Sequence, residues 1–424
     1  MRMTITEKII AAHAGKEKVS PGEIVTVDVD LAMSNEMGGI GCLKLLEELK
    51  TTKKFDDPSK AVVVADHFTP ARDIATAEMV KFSRDNAEKY GFQFYEMGNG
   101  GIEHIILPEK GLVRPGQLVI GADSHTCTYG ALSLFSTGVG STDLAAIWAR
   151  GKTWLKVPPA IKVEFNGKKQ PWVSGKDFII YLIGKIGVDG ARYCSLEYHG
   201  DTLSELTMDD RFTISNMSVE AGAKNGIFHA DEKTIEYAKN ASDEPFTLYS
   251  SDDDANYMQT LKFNSEEIEP QVAFPHLPSN ARPVSEAKGI KIDQVIIGSC
   301  ANGRMEDLRV AARLFKGNKL AHNTRCIIIP GSQKIYLDAT KEGIIETLAE
   351  AGCVIAAPTC GPCVGGYMGI LAAGEKCLST TTRNFVGRMG HIKSEVYLGS
   401  PAIAAATAIC GEITHPGKIR EDIL

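Results

Sequence analysis

The stretch Val295-Ile296-Ile297-Gly298-Ser299-Cys300-Ala301-Asn302 decides how this chain is read: an apolar run of strand character stops at a glycine, a hydroxyl and a thiol. Short β-branched runs without alternation belong to strands covered on both faces, as in parallel sheets. Ligands of open α/β sheets gather outside the carboxyl ends of such strands, so Cys300 stands where chemistry is placed. The same arrangement recurs. Ala61-Val62-Val63-Val64-Ala65 ends at Asp66-His67, and Gln117-Leu118-Val119-Ile120-Gly121 ends at Asp123-Ser124-His125. Cys326-Ile327-Ile328-Ile329 ends at Pro330-Gly331-Ser332, and Cys353-Val354-Ile355-Ala356-Ala357 ends at Thr359-Cys360. Together these endings predict a site assembled from several strand tips.

Helices are expected between the strands. After Cys300, Glu306-Asp307 lead into Leu308, Ala311, Ala312 and Phe315 at helical spacing, and Gly317 is placed to stop the helix. Pro70, ahead of Arg72-Asp73-Ile74-Ala75, reads as a helix opening. This alternation is that of a doubly wound α/β fold with mainly parallel sheets. Val157-Pro158-Pro159 before the alternating Ile161–Gly167 marks a domain start; Ser251–Asp254 and the proline-containing run Pro270–Pro283 read as a surface loop and a linker. Three α/β domains follow: 1–160 with the Asp/His tips, 161–285, and 286–424 with the cysteines.

Composition narrows the function. The chain has 424 residues, 43% hydrophobic and 23% charged, with a net charge of -7. Basic residues come in short groups such as Lys53-Lys54, which Asp56-Asp57 offset, so nucleic acid is not expected as a partner. Glu7 and Lys8 interrupt the opening Met1–Ile10 where a signal peptide needs an apolar run. No segment reaches the roughly 18 apolar residues of a membrane span. A cytoplasmic location is therefore expected, and with it reduced thiols, some of them metal ligands.

Cys360-Gly361-Pro362-Cys363 has the form of a redox pair that opens a helix. Val364-Gly365-Gly366 follows, and paired glycines weaken a first helical turn. Cys300 at a similar strand tip is a third thiol that a redox pair does not need. Three thiolates suit a four-iron cluster with one iron left open for substrate oxygens; dithiol redox use and structural zinc remain the alternatives. The other cysteines, Cys326, Cys353 and Cys410 among them, read as core filling. Taken singly, Asp123-Ser124-His125-Thr126 is no more than a helix cap, His104 a core histidine among Ile102, Ile105 and Ile106, and Arg383 and Arg388 solvated charges. Taken together they offer guanidinium forks for carboxylates and His/carboxylate pairs for moving protons, the needs of a hydroxy acid.

Gly121-Ala122-Asp123-Ser124-His125-Thr126, Gly298-Ser299-Cys300-Ala301-Asn302, Cys360-Gly361-Pro362-Cys363 and Arg383-Asn384-Phe385-Val386-Gly387-Arg388 resemble, in order and spacing, the signature segments of the aconitase superfamily. Within it the chain is most similar to the 3-isopropylmalate dehydratase large-subunit family, with homoaconitase large subunits next. The resemblance implies one 4Fe-4S cluster held by Cys300, Cys360 and Cys363, its fourth iron open. It implies catalytic roles for Asp66, His67, His104, Asp123, His125 and Glu220, and substrate binding by Ser124, Asn216, Arg383 and Arg388. Asn216 and Glu220, four apart, are expected on one helix face.

The family also uses a swivel domain with a Gly-Ser-Ser-Arg-type loop, and no Gly-Ser-Ser occurs in this sequence. A separate small subunit is thus expected to complete the site in a heterodimer or heterotetramer. The implied reaction converts 2-isopropylmalate to 3-isopropylmalate, in leucine biosynthesis, by dehydration and rehydration. Ala32-Met33-Ser34-Asn35-Glu36-Met37-Gly38-Gly39 departs from the His-Asp and Thr-Ser-Pro-like pattern of the leucine-pathway relatives. That departure keeps homoaconitate and 2,3-dimethylmalate as alternative substrates. A cluster-free RNA-binding relative is the remaining class, against which the acidic balance argues.

Overall fold

The strand Gln294–Gly298 is buried along its whole length and lies inside a seven-stranded sheet. The computed structural model describes residues 2–48 and 57–421; Lys53, Lys54 and Asp56 lie outside the described residues. The order across this sheet is Ala281–Pro283, Gln271–Ala273, Glu395–Leu398, Lys376–Ser379, Gln294–Gly298, Arg325–Ile329 and Val354–Ile355. From Glu395–Leu398 onward the strands are parallel; the first two are antiparallel additions at one edge.

The amino-terminal sheet repeats that winding. Its order is Gln93–Tyr95, Ala61–Val64, Leu31–Asn35, Leu118–Gly121 and Phe135–Gly138, all parallel. In both sheets the parallel strands start in the middle, build outward on one side, then cross over to build the other. The crossover leaves a crevice beyond the strand ends, between Leu31–Asn35 and Leu118–Gly121 in one sheet and between Gln294–Gly298 and Lys376–Ser379 in the other. The two crevices face each other. The Asp66 carbonyl accepts from the Cys360 amide at 2.7 Å and the Thr359 hydroxyl at 2.8 Å, and Arg304 Nη2 donates to the His104 carbonyl at 3.0 Å.

A third, all-parallel sheet runs Asn225–Phe228, Ser195–His199, Ala160–Asn166 and Gln259–Asn264. The helix Gly175–Ile186 presses Phe178, Ile179, Leu182 and Ile183 into its core with Phe165 and Leu196. Burying each such side chain contributes about 1.5–3 kcal/mol. A small antiparallel ribbon pairs Ile24–Asp28 with Lys152–Lys156.

The helix Met305–Phe315 forms as its spacing predicts: Leu308, Ala311, Ala312 and Phe315 are buried, and Asp307 closes a capping box with Arg304. Other local readings give way to tertiary contacts. Pro270–Pro283 is not a bare linker, because Val272 and Ala273 are buried and Ala273 pairs with the distant Leu398. The helix after Asp66-His67 begins at Ile74, where Asp73 accepts from the Thr76 amide at 2.8 Å, rather than at Pro70. Cys410 is exposed at the end of the helix Pro401–Cys410 instead of filling core. Among the described residues, no helix is long and apolar enough to cross a membrane.

Candidate active site

Cys300 reaches the crevice because of Gly298. Its φ of +144° lies outside the range of ordinary side chains, and a Cβ there would meet the Ile329 carbonyl at 2.4 Å. The chain can then turn directly from strand into the short helix Ser299–Asn302. Asn216 Nδ2 donates to Cys300 Sγ at 3.3 Å. Cys360 and Cys363 sit in a turn, closed by the Cys363 amide on the Cys360 carbonyl at 3.0 Å, which does not continue as a helix. Cys363 Sγ lies 3.8 Å from the Thr382 hydroxyl, at the tip of the strand Lys376–Ser379.

The three thiols differ in how readily they ionise. The hydrogen bond from Cys360, helped by the fields of Arg388 and His125, holds the Cys363 thiol well below its usual range. Burial pushes Cys300 up, and donation to Cys363 together with burial does the same to Cys360. Behind them is Lys176, wholly buried, whose ammonium donates to the Thr380 and Thr381 carbonyls at 2.8 and 2.7 Å. Burial pulls its pKa down to about 8, against the fields of Cys300 and Cys363.

The opposite wall is built from the first sheet. Glu36, the first residue of the helix Glu36–Glu48, accepts from the backbone amides of Asp66, His67 and Phe68 at 3.0, 2.8 and 2.6 Å. That fixes the turn in which Asp66 Oδ1 pairs with His67 Nδ1 at 2.6 Å. Burial works against charge on His67, but Asp66 outweighs it and raises the imidazole pKa well above its ordinary value.

A second set runs continuously across the cavity. Tyr129 OH meets His104 Nδ1 at 3.1 Å, His104 Nε2 meets Asp123 Oδ1 at 2.8 Å, and the same oxygen accepts from the His125 amide at 2.7 Å. His125 Nε2 then meets Glu220 Oε1 at 2.9 Å, which also accepts from Arg383 Nε at 2.7 Å. Burial lowers the pKa of His104 despite Asp123, whereas hydrogen bonds to Asp123 and Glu220 overcome burial and raise that of His125. Burial is likewise overcome at Asp123, which hydrogen bonds from both histidines keep ionised. Glu103 is the reverse case: burial, with Asp66 and Asp123 nearby, pushes its carboxyl well up, toward the neutral form.

These walls enclose a cavity of about 340 Å³ lined by Asp66, His67, His104, Asp123, Ser124, His125, Cys300, Cys360, Cys363, Arg383 and Arg388. Asn216 and Glu220 stand behind it, against Cys300 and His125. They do not share a helix: Asn216 is the penultimate residue of the helix Met208–Met217, and Glu220 lies on the 3-10 turn Ser218–Ala221. Ser218 Oγ donates to the Ile214 carbonyl at 2.9 Å and accepts from the Tyr198 hydroxyl at 2.7 Å, and the left-handed Gly222 closes the turn. Asn35, Glu36, Glu103 and Lys176 were not singled out by the sequence. Glu103, directly before His104, repeats the acid/histidine pairing seen at Asp66-His67 and was the recoverable one. Asn35, Met37 and Gly38, in the segment that departs from the leucine-pathway pattern, line the cavity.

A sequence profile of the aconitase family (aconitate hydratase) matches residues 7–411. The 3-isopropylmalate dehydratase large subunit of Sulfurihydrogenibium sp. (strain YO3AOP1) is 56% identical over 420 residues, covering 99% of this chain and 97% of that one. That of Desulfitobacterium hafniense (strain Y51) is 56% identical over 421 residues, covering 99% and 100%. The crystal structure of Thermococcus kodakaraensis aconitase X in its holo-form shares the fold, with a TM-score of 0.51 at 12% identity over 93% of this chain and 98% of that one. A match this long, with relatives this similar over their whole length, means that the chain belongs to the aconitase family.

Proposed function

We propose that the chain is the large subunit of a 3-isopropylmalate dehydratase, a hydro-lyase that moves the hydroxyl of 2-isopropylmalate to the neighbouring carbon. The observation that carries this reading is one cavity holding three cysteines, two acid/histidine sets and two arginines, in a chain whose full-length relatives bear that name.

The donor set fits a 4Fe-4S cluster. Thiolate is the ligand form of cysteine, and Cys363 is already held toward it. Asn216 directs a donor at Cys300, Thr382 abuts Cys363, and the buried Lys176 cation faces the accumulated negative charge. Cys300, Cys360 and Cys363 would hold the cluster, which supplies a Lewis acid for the substrate hydroxyl.

The remaining work falls to side chains. Arg388, whose buried Nε has no hydrogen-bond partner, and Arg383, anchored through Nε by Glu220, receive the substrate carboxylates. His67 and His125, whose imidazolium forms their carboxylate partners favour, donate to the hydroxyl so that it departs as water. Asp123 and His104 orient His125 and retain that water. The base that removes the proton beside the carboxylate comes from a separate small subunit, and readdition at the adjacent carbon completes the isomerisation. The cytoplasm is the compartment in which this chemistry and its reduced thiols belong.

Anaerobic purification with iron and sulfide analysis tests the site. About four irons per chain are expected, and Cys363→Ser should lose them while keeping its circular dichroism. A metal-free wild type, or one with zinc alone, would overturn the proposal. Pairing the chain with a 3-isopropylmalate dehydratase small subunit, then assaying isopropylmalate, homoaconitate, dimethylmalate and citrate, tests the substrate; isopropylmalate is expected to turn over fastest.

A further inference from the structure

The all-parallel sheet of the middle region carries a cluster that the proposed reaction does not use. Glu197 and His199 lie two apart on the strand Ser195–His199, so their side chains share a face. The neighbouring strand pairs Ile227 with Glu197, which sets His229, just past its end, beside His199. His199 Nε2 and His229 Nε2 stand 2.8 and 2.7 Å from Glu197 Oε1, and the three donor atoms lie within 4.8 Å of one another. Ser251 Oγ and Tyr257 OH reach the same oxygen at 2.6 Å each. A carboxylate oxygen offers about two lone-pair sites, so Oε1 is overcrowded. Oε2 is buried without a partner, in a side chain that is 0% exposed. Both histidines line a cavity of about 410 Å³ that has no residue in common with the cysteine cavity. Arg211 also lines it, but its charge is taken by Asp231, 2.8 Å from Nη1.

We propose that Glu197, His199 and His229 form a divalent transition-metal site. Two imidazoles and a carboxylate are a donor set for zinc, with a fourth position open to water from the cavity. An ion between the three groups replaces the crowded hydrogen bonds on Oε1, and the Ser251 and Tyr257 hydroxyls remain as donors to the carboxylate. Ser251 Oγ also accepts from the Ile5 amide at 2.7 Å, so the ion pins two strand tips to the amino-terminal helix Ile5–His13.

The experiment uses the iron-loaded chain, stripped of loose metal with a chelator, equilibrated with zinc and desalted. Zinc and iron are then counted in wild type, in the His199→Gln/His229→Gln double variant and in His229→Gln alone. Wild type should retain one zinc per chain more than the double variant at equal iron. Loss of an outer-shell partner weakens metal binding by about 10–100-fold, so losing a ligand should weaken zinc by at least about 100-fold. Zinc should raise the melting temperature of wild type only, and cobalt in its place should give tetrahedral d–d absorption absent from the variants. The His229 side chain is 29% exposed, so the single variant keeps the comparison meaningful should the double variant misfold. Equal zinc retention in wild type and His229→Gln, with no difference in melting shift, would overturn the site.

Discussion

Glu220 shows how one carboxylate holds two groups at once, His125 at 2.9 Å and Arg383 at 2.7 Å. Because the Asp123 and Glu220 bonds raise the His125 pKa above its ordinary value, the imidazolium persists to higher pH than that of an ordinary histidine and is lost only as pH passes that raised value. The basic limb of the kcat/KM profile of the reconstituted enzyme should lie correspondingly high. Glu220→Gln should move that limb to lower pH; an unmoved limb would mean that His125 is not the titrating donor. His125→Gln, which removes the donor altogether, should lower kcat by about 10²–10⁴-fold. Single residues were only half legible in the sequence. His104 sits among Ile102, Ile105 and Ile106 and is buried at 2% exposure, as a core histidine would be, yet Asp123 and Tyr129 bind both its nitrogens. Lys176 gave no signal at all, since its partners are backbone carbonyls more than two hundred residues away, 204 and 205 in the chain.

Elements place these groups through backbone bonds that can be tested directly. Glu36→Gln leaves three backbone amides facing a group that is uncharged and half donor. It should lower stability to denaturant by about 1–3 kcal/mol and loosen the Asp66-His67 turn, raising KM. Gly298→Ala should cost more, since a strained φ alone is worth about 1–3 kcal/mol and the added Cβ meets the Ile329 carbonyl at 2.4 Å. Its iron content should fall along with its unfolding midpoint. Central strands and the helix Met305–Phe315 were readable because their burial is written in local spacing. The buried strand Gln271–Ala273 within Pro270–Pro283 was not, because its partner in the sheet is the remote strand Glu395–Leu398. Likewise the change from α-helix to 3-10 turn between Asn216 and Glu220, where Ser218 contacts the Tyr198 hydroxyl, is recorded by no periodicity.

At the scale of the molecule, two sheets wound in the same way meet crevice to crevice, one bringing acid/histidine sets and the other cysteines and arginines. A chain so built should bind iron alone yet turn over little substrate until its small subunit is added; full activity of the isolated chain would remove the need for that partner. The meeting also bears on how the protein is made. The Thr359 hydroxyl and the Asp66 carbonyl that join the two halves are 293 residues apart. During synthesis the first sheet, with its half of the cavity, leaves the ribosome long before Cys360, Cys363 and Arg388 have been translated. A prosthetic group that needs all three cysteines can therefore be held only after the chain has been made past Cys363, when the two halves of the crevice can meet.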